Sequence, residues 1–149
     1  MKIYCCDCGK KVSARLTDGK EVYPHRKDLC KLPFWKCDSC GNFVGCHHKT
    51  GNRTAPLGVI PSQEIKEIRK EIHTIIDPLW QEMDIDRSDI YSKISDKLGY
   101  EYHTANIRTA KEGEKILSIV NELCRQDFTS NSMKRLTSYA MLGSAFLGD

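Results

Sequence analysis

Apolar and polar positions follow two different rhythms along this chain. Up to about residue 60 they alternate in short runs broken by turn residues, and after Pro61 they recur every three or four positions. Val12, Ala14 and Leu16 alternate with Lys11, Ser13 and Arg15, the period of a half-buried strand. Thr17-Asp18-Gly19-Lys20 follows, and its Asp-Gly pair predicts a hairpin turn because both positions accept positive φ. Glu21-Val22-Tyr23 is then the expected return strand, stopped by Pro24. Phe34-Trp35-Lys36 and Asn42-Phe43-Val44 predict a second hairpin, and the turn-rich stretch 49–58 closes this half.

Past Pro61, Ile65, Ile68, Ile72, Ile75, Ile76 and Leu79 fall on one helical stripe, with Ser62 placed to cap it. Pro78 is expected to break or kink that helix, with Asp77 capping a new short turn. Ile90, Ile94 and Leu98 mark the inner face of a helix over 88–98, closed by Gly99. Thr109-Ala110-Lys111-Glu112 is a capping box, opening a helix that buries Ile116, Ile119, Val120 and Leu123. A last amphipathic helix is expected over 132–147. Short strands followed by helices predict an α+β fold.

Composition narrows the class. The 149 residues suit one domain or a small module joined to another, and 40% apolar with 29% charged residues is a globular composition, not a disordered one. No run of about 18 apolar residues is present, so no membrane span is expected. Met1-Lys2-Ile3-Tyr4-Cys5-Cys6 lacks the apolar core of a signal peptide, which predicts a cytoplasmic protein. Of eight cysteines, seven lie in the first 46 residues. In a reducing compartment such clustering points to metal ligation rather than disulfides.

Cys5-Cys6-Asp7-Cys8-Gly9 and Cys37-Asp38-Ser39-Cys40-Gly41 each contain Cys-x-x-Cys-Gly. That spacing brings two thiolates from one tight turn to the same tetrahedral ion, and the glycine tolerates the left-handed backbone that aims amide N–H groups at sulfur. Two such knuckles on hairpins make a zinc ribbon. The expected ligands of one structural Zn2+ are Cys5, Cys8, Cys37 and Cys40, with Cys6 as the poorer register alternative to Cys5. Four thiolates leave no open coordination position, so the ion has a structural role. The predicted organisation is a ribbon over 1–58 and a region of three to five helices over 59–149, packed on it because Phe34, Trp35 and Phe43 exceed what a lone ribbon covers. Cys46-His47-His48 with His25 and Cys30 forms a less favoured second metal set.

Charge is segregated. Residues 1–60 carry eleven Lys or Arg against five Asp or Glu, whereas residues 61–108 carry seven against ten. Lys10, Lys11, Arg15, Arg26, Lys27 and Lys36 interleave with aromatic residues, the composition of a surface that pairs phosphates and stacks bases. Four thiolates and one zinc subtract two charges from this patch. In the helices, His73 and Asp77 stand four apart with Trp80 three further on, and Arg87 and Tyr91 are likewise four apart. Such pairs orient a general base in some proteins and more often join side chains structurally.

Together these features resemble a family of small phage- and prophage-encoded proteins described as a zinc-finger-containing domain of unknown function. The resemblance is carried by the first knuckle, Phe34-Trp35-x-Cys37-x-x-Cys40-Gly41, Phe43-Val44-Gly45-Cys46-His47-x-x-Thr50, Pro56-Leu57-Gly58, His73 with Asp77-Pro78-Leu79-Trp80, and Arg87 with Tyr91. It extends from Cys5 to about Cys124, departing from the family pattern at Tyr102 and Thr104 and between Thr50 and Pro56. It implies zinc and a phage setting, and no particular activity. Its recurring polar residues are His47, Thr50, His73, Asp77, Arg87 and His103, a functional surface or a structural network. Nucleic-acid binding is the leading expectation, ahead of a module engaging a host protein. A metal-assisted nuclease or hydrolase built on the His/Asp set comes third. No catalytic residue is assigned, since phosphate-binding loop, nucleophile elbow and His-Glu-x-x-His motifs are all missing.

Overall fold

The computed structural model of the chain describes residues 1–128, with side chains through residue 126. Strand β1 (Lys2–Cys5) pairs antiparallel with β2 (Lys10–Ser13), and the first cysteine knuckle forms the turn between them. Strand β3 (Arg15–Asp18), β4 (Pro33–Lys36) and β5 (Phe43–Gly45) build a second antiparallel sheet in the order β3-β4-β5, with the second knuckle between β4 and β5. Three helices of twelve residues or more follow: α2 (Gln63–Gln81), α3 (Arg87–Leu98) and α4 (Ala110–Leu123). The architecture is α+β, as expected. None of the described helices is long and apolar enough to cross a membrane. The helix expected over 132–147 lies outside the described residues.

The described residues divide into two compact units, 1–70 with 103–114, and 71–102 with 115–128. In the first, Ile3, Cys5, Val12, Ala14, Cys37, Val44 and Ile60 form the core of the ribbon, with Trp35 packed against it. The free edge of β1 is closed by residue 60, which accepts from the Cys6 amide and donates to the Tyr4 carbonyl. In the second unit the buried residues are Ile72, Ile76, Leu79, Ile90, Ile94, Leu98, Tyr102, Ile116, Val120 and Leu123. All but Tyr102 belong to the predicted apolar stripes, of which Ile75 and Ile119 are only half-buried.

Capping held where the chemistry is local. The Ser62 hydroxyl accepts from the Ile65 amide, and Gly99 takes φ +80 while donating to Ser95 at the end of α3. The Thr109 hydroxyl accepts from Glu112, whose carboxylate in turn accepts from the Arg108 amide.

Three expectations are corrected. Thr17-Asp18-Gly19-Lys20 does not turn a hairpin back into Glu21-Val22-Tyr23. Asp18 instead caps a short helix, α1 (Gly19–Val22), by accepting from the Lys20 amide, and the strand that returns along β3 is β4. Gly19 is required for space rather than for positive φ, because a Cβ there would lie 1.8 Å from the Leu29 carbonyl oxygen. The alternation predicted through Leu16 also fails at its end: Val12 and Ala14 are buried, but Leu16 is 45% exposed, since the chain passes from one sheet to the other at Ala14. The third is the break at Pro78, which sits inside α2 without ending it, so that Asp77 lies within the helix and caps no new turn. Pro78 lies within the last turn, where a missing N–H removes a single ladder bond, and the helix continues with Glu82 donating to Pro78.

Candidate metal centre and basic face

The two knuckles converge. The Sγ atoms of Cys5, Cys8, Cys37 and Cys40 all lie within 4.8 Å of one another, with Cys5–Cys40 at 3.5 Å and Cys8–Cys37 at 3.7 Å. A tetrahedron with Zn–S bonds of about 2.3 Å has S···S edges of about 3.8 Å, so the donor set matches zinc in kind, number and spacing. Gly9 and Gly41 take φ +66 and +81, and each donates to the first cysteine of its knuckle, closing the tight turn. Backbone N–H groups of Cys8 and Asp7 point at Cys5, those of Cys40 and Ser39 at Cys37, and the Asn42 side-chain Nδ2 donates to Cys40 Sγ at 3.2 Å.

These environments tune the thiols in opposite directions. Burial pushes Cys5 up to about 12. Burial also raises Cys37, but the amides of Cys40 and Ser39 and the neighbouring thiols outweigh it and hold the group down to about 7. Cys6, the register alternative, turns away and donates to the Ile107 carbonyl at 3.8 Å, with its own thiol raised by burial. Among the described residues this four-cysteine group is the one that converges as a metal site, so Cys46, His25 and Cys30 do not build a second. Cys46 is instead a buried thiol beside the backbone bridge to Pro56.

The predicted cations separate into two kinds. The Arg15 guanidinium is held by Asp38 at 2.8 and 2.9 Å and by Glu21 at 2.7 and 3.1 Å. Lys36 reaches the same Glu21 at 2.8 Å, and Arg26 pairs with Asp28 at 2.7 Å. Hydrogen bonds from Arg15, then Lys36, hold the Glu21 carboxyl well below the usual range, with Thr17 also donating to it, and Arg15 does the same to Asp38. Lys10 stands at the end of β2 opposite Cys5, and Lys27 begins the turn Lys27–Leu29.

A different grouping surrounds Tyr4. The strand register puts Tyr4 opposite Lys11 and Lys2 opposite Ser13, so all four share one face of the hairpin. Arg108 lays its guanidinium over the Tyr4 ring at 4.5 Å. The segment bearing Arg108 is tied to the ribbon: Val59 donates to Ala105, and Arg69 donates to the carbonyls of Ala105 and Ile107 at 2.8 and 3.1 Å. Among the described residues no carboxylate lies within ion-pair distance of Lys2, Lys11 or Arg108. Sequence reasoning missed Lys2 and Arg108. The alternation of Lys2 with Tyr4 along β1 was a signal for the first; no local signal existed for the second.

The recurring polar residues also divide. His47, Thr50 and His103 belong to the first unit, and His73, Asp77 and Arg87 to the second. Thr50 donates to the His47 carbonyl at 2.8 Å. In the second unit the Asp77 carboxylate joins His73 at 3.1 Å and accepts from the Trp80 indole at 3.3 Å. Arg87 stacks on Trp80 and Tyr91 and donates to the Tyr91 hydroxyl at 3.0 Å. The two predicted i,i+4 pairs therefore form.

Neither the curated proteins nor the solved structures include a match to this chain. A family model described as a zinc-finger-containing domain matches residues 1–124, which hold both knuckles and all three long helices. The chain belongs to that zinc-finger-containing domain family, and its four converging cysteines fit one structural zinc ion.

Proposed function

We propose that the protein binds nucleic acid with little sequence preference through the Tyr4 face of the ribbon, the zinc serving to hold that face in shape. The observation that carries this reading is Lys2 and Lys11 on one hairpin face with Tyr4, whose ring lies under Arg108, with none of the three cations in an ion pair among the described residues. Unpaired cations release counterions on meeting phosphates, and an aromatic–guanidinium stack offers a platform to an unstacked base. The zinc knuckle enters because it sets the β1–β2 register that aligns Tyr4 with Lys11. The proposed setting is the cytoplasm of a bacterial host, for a protein of phage or prophage origin, as the family resemblance suggests.

Fluorescence anisotropy with labelled single- and double-stranded DNA and RNA at about 50 mM salt tests the reading. With about four phosphate contacts, log affinity falls against log salt with a slope near -3 to -4. Absence of binding to every one of these at micromolar protein overturns the proposal.

A further inference from the structure

The ribbon carries a concavity that the nucleic-acid reading leaves unused. A cavity of about 510 Å³ opens between the connector from β3 to β4 and the loop after β5. This lies within the range of roughly 300–1,000 Å³ typical of ligand sites. Its walls are Leu29, Leu32, Pro33 and Leu57 with the rings of Tyr23 and Phe34, which meet edge to face at 5.7 Å. Gly45 leaves room at the base, where a Cβ would approach the Leu57 side chain to 3.2 Å. Tyr23 and Leu57 keep 38% and 47% of their surface in solvent, so the apolar wall faces water.

One rim is polar and positive. His47, His48, Lys49 and Thr50 lie along it. Among the described residues the Lys49 ammonium and the His47 imidazole make no hydrogen bond or ion pair, whereas His48 Nδ1 meets the Cys46 carbonyl at 3.3 Å. The two segments that frame the cavity, 23–32 and 45–57, hold five Lys or Arg against one acidic residue, Asp28, which is already paired with Arg26.

The chemistry of the walls selects the occupant. A nucleobase presents several hydrogen-bonding groups, and walls of leucine, proline and phenylalanine would strip their water without replacing it. A leucine or phenylalanine side chain carries no such cost. A carboxylate beside it would meet Lys49 and the imidazoles at the rim. We infer that the cavity receives one aliphatic or aromatic side chain from an acidic segment of a protein partner, with a neighbouring carboxylate seated against Lys49. This site shares no residue with the Tyr4 face and stands independently of the nucleic-acid reading.

The test is a titration of the zinc-loaded, ¹⁵N-labelled full chain, followed by amide chemical shifts. The probe is a blocked synthetic pentapeptide, Glu-Asp-Phe-Asp-Glu, with two controls: Phe replaced by Ser, and all four acids replaced by their amides. The expected result is saturable shifts at Leu29, Gly45, Lys49 and Leu57. The Ser peptide should bind about tenfold more weakly or worse, the loss expected for an unburied aromatic ring. The amide peptide should bind several-fold more weakly, and Lys49→Gln, an exposed change that leaves zinc content intact, should abolish the difference between acid and amide peptides. The inference is overturned by no shift at about 2 mM peptide, weaker than any specific contact. Equal binding of acid and amide peptides also overturns it. So does the outcome in which oligothymidylate, and not the peptide, shifts these same amides, which assigns the cavity to nucleotides.

Discussion

Arg108 and Tyr4 come from opposite ends of the described chain, yet the guanidinium of one sits 4.5 Å from the ring centre of the other. The contact depends on a close approach of two backbones. A Cβ at Gly58 would lie 2.2 Å from the Ala105 carbonyl oxygen, so only glycine lets the 103–108 segment settle against the ribbon. Arg108 then adds a cation to a face that Lys2 and Lys11 already make basic.

The nucleic-acid reading therefore makes a contrast between arginines. Arg108→Ala lowers affinity for all sequences about equally and flattens the salt slope by about one unit, the signature of one lost phosphate contact. Arg15→Ala leaves both unchanged, because Glu21 and Asp38 already occupy its guanidinium. Anisotropy titrations at three salt concentrations read both outcomes.

Metal analysis should find one zinc per chain. Cys37→Ser removes a ligand at the centre of the ribbon core and abolishes both metal binding and the ribbon fold, since structural zinc supplies free energy on the order of 10 kcal/mol in small modules. Cys6→Ser and Cys46→Ser keep the full zinc content, because the Cys6 thiol goes to the Ile107 carbonyl and neither cysteine belongs to the converging group. A chelator reproduces the Cys37 phenotype, read as the loss of dispersed amide resonances from residues 2–45.

Gly58→Ala and Gly19→Ala destabilise by about 1–3 kcal/mol or more, since each new methyl meets backbone that has no room to move. Gly51→Ala, with nothing within 4 Å of its Cβ position, leaves the melting temperature within error. Thermal melts of the zinc-loaded variants compare the three.

The Arg15–Glu21–Asp38 network predicts a pH dependence by its absence from a window. Hydrogen bonds from Arg15 depress the folded-state values of both carboxyls, so their contribution is fully present above the unfolded value near 4 and disappears only as pH falls through the lower folded values. The melting-temperature difference between wild type and Arg15→Ala is thus the same at pH 7 and pH 5. A difference that shrinks across that interval contradicts the depressed values. Both carboxylates are exposed, so the difference itself is small.

What the sequence determined by itself was whatever a few neighbouring residues decide. Cys-x-x-Cys-Gly sets the knuckle because the turn, its glycine and its amides are all within five residues. Ser62, Gly99 and Thr109 mark helix ends because a cap needs only the adjacent turn. The buried stripes of the helices follow from periodicity alone. Tertiary structure decided the rest, which depends on distant partners. The Asp18-Gly19 pair reads locally as a hairpin, but the approach of Leu29 turned it into a helix cap. Arg15 and Lys36 read as part of a basic patch, but the β3–β4 register sets them opposite each other, and Glu21 bridges the two while Asp38 takes the other side of Arg15. Charge along a chain is a property of composition; which charges are paired is a property of the fold, and here, among the described residues, it pairs Arg15, Arg26 and Lys36 and leaves Lys2, Lys11 and Arg108 out of any ion pair.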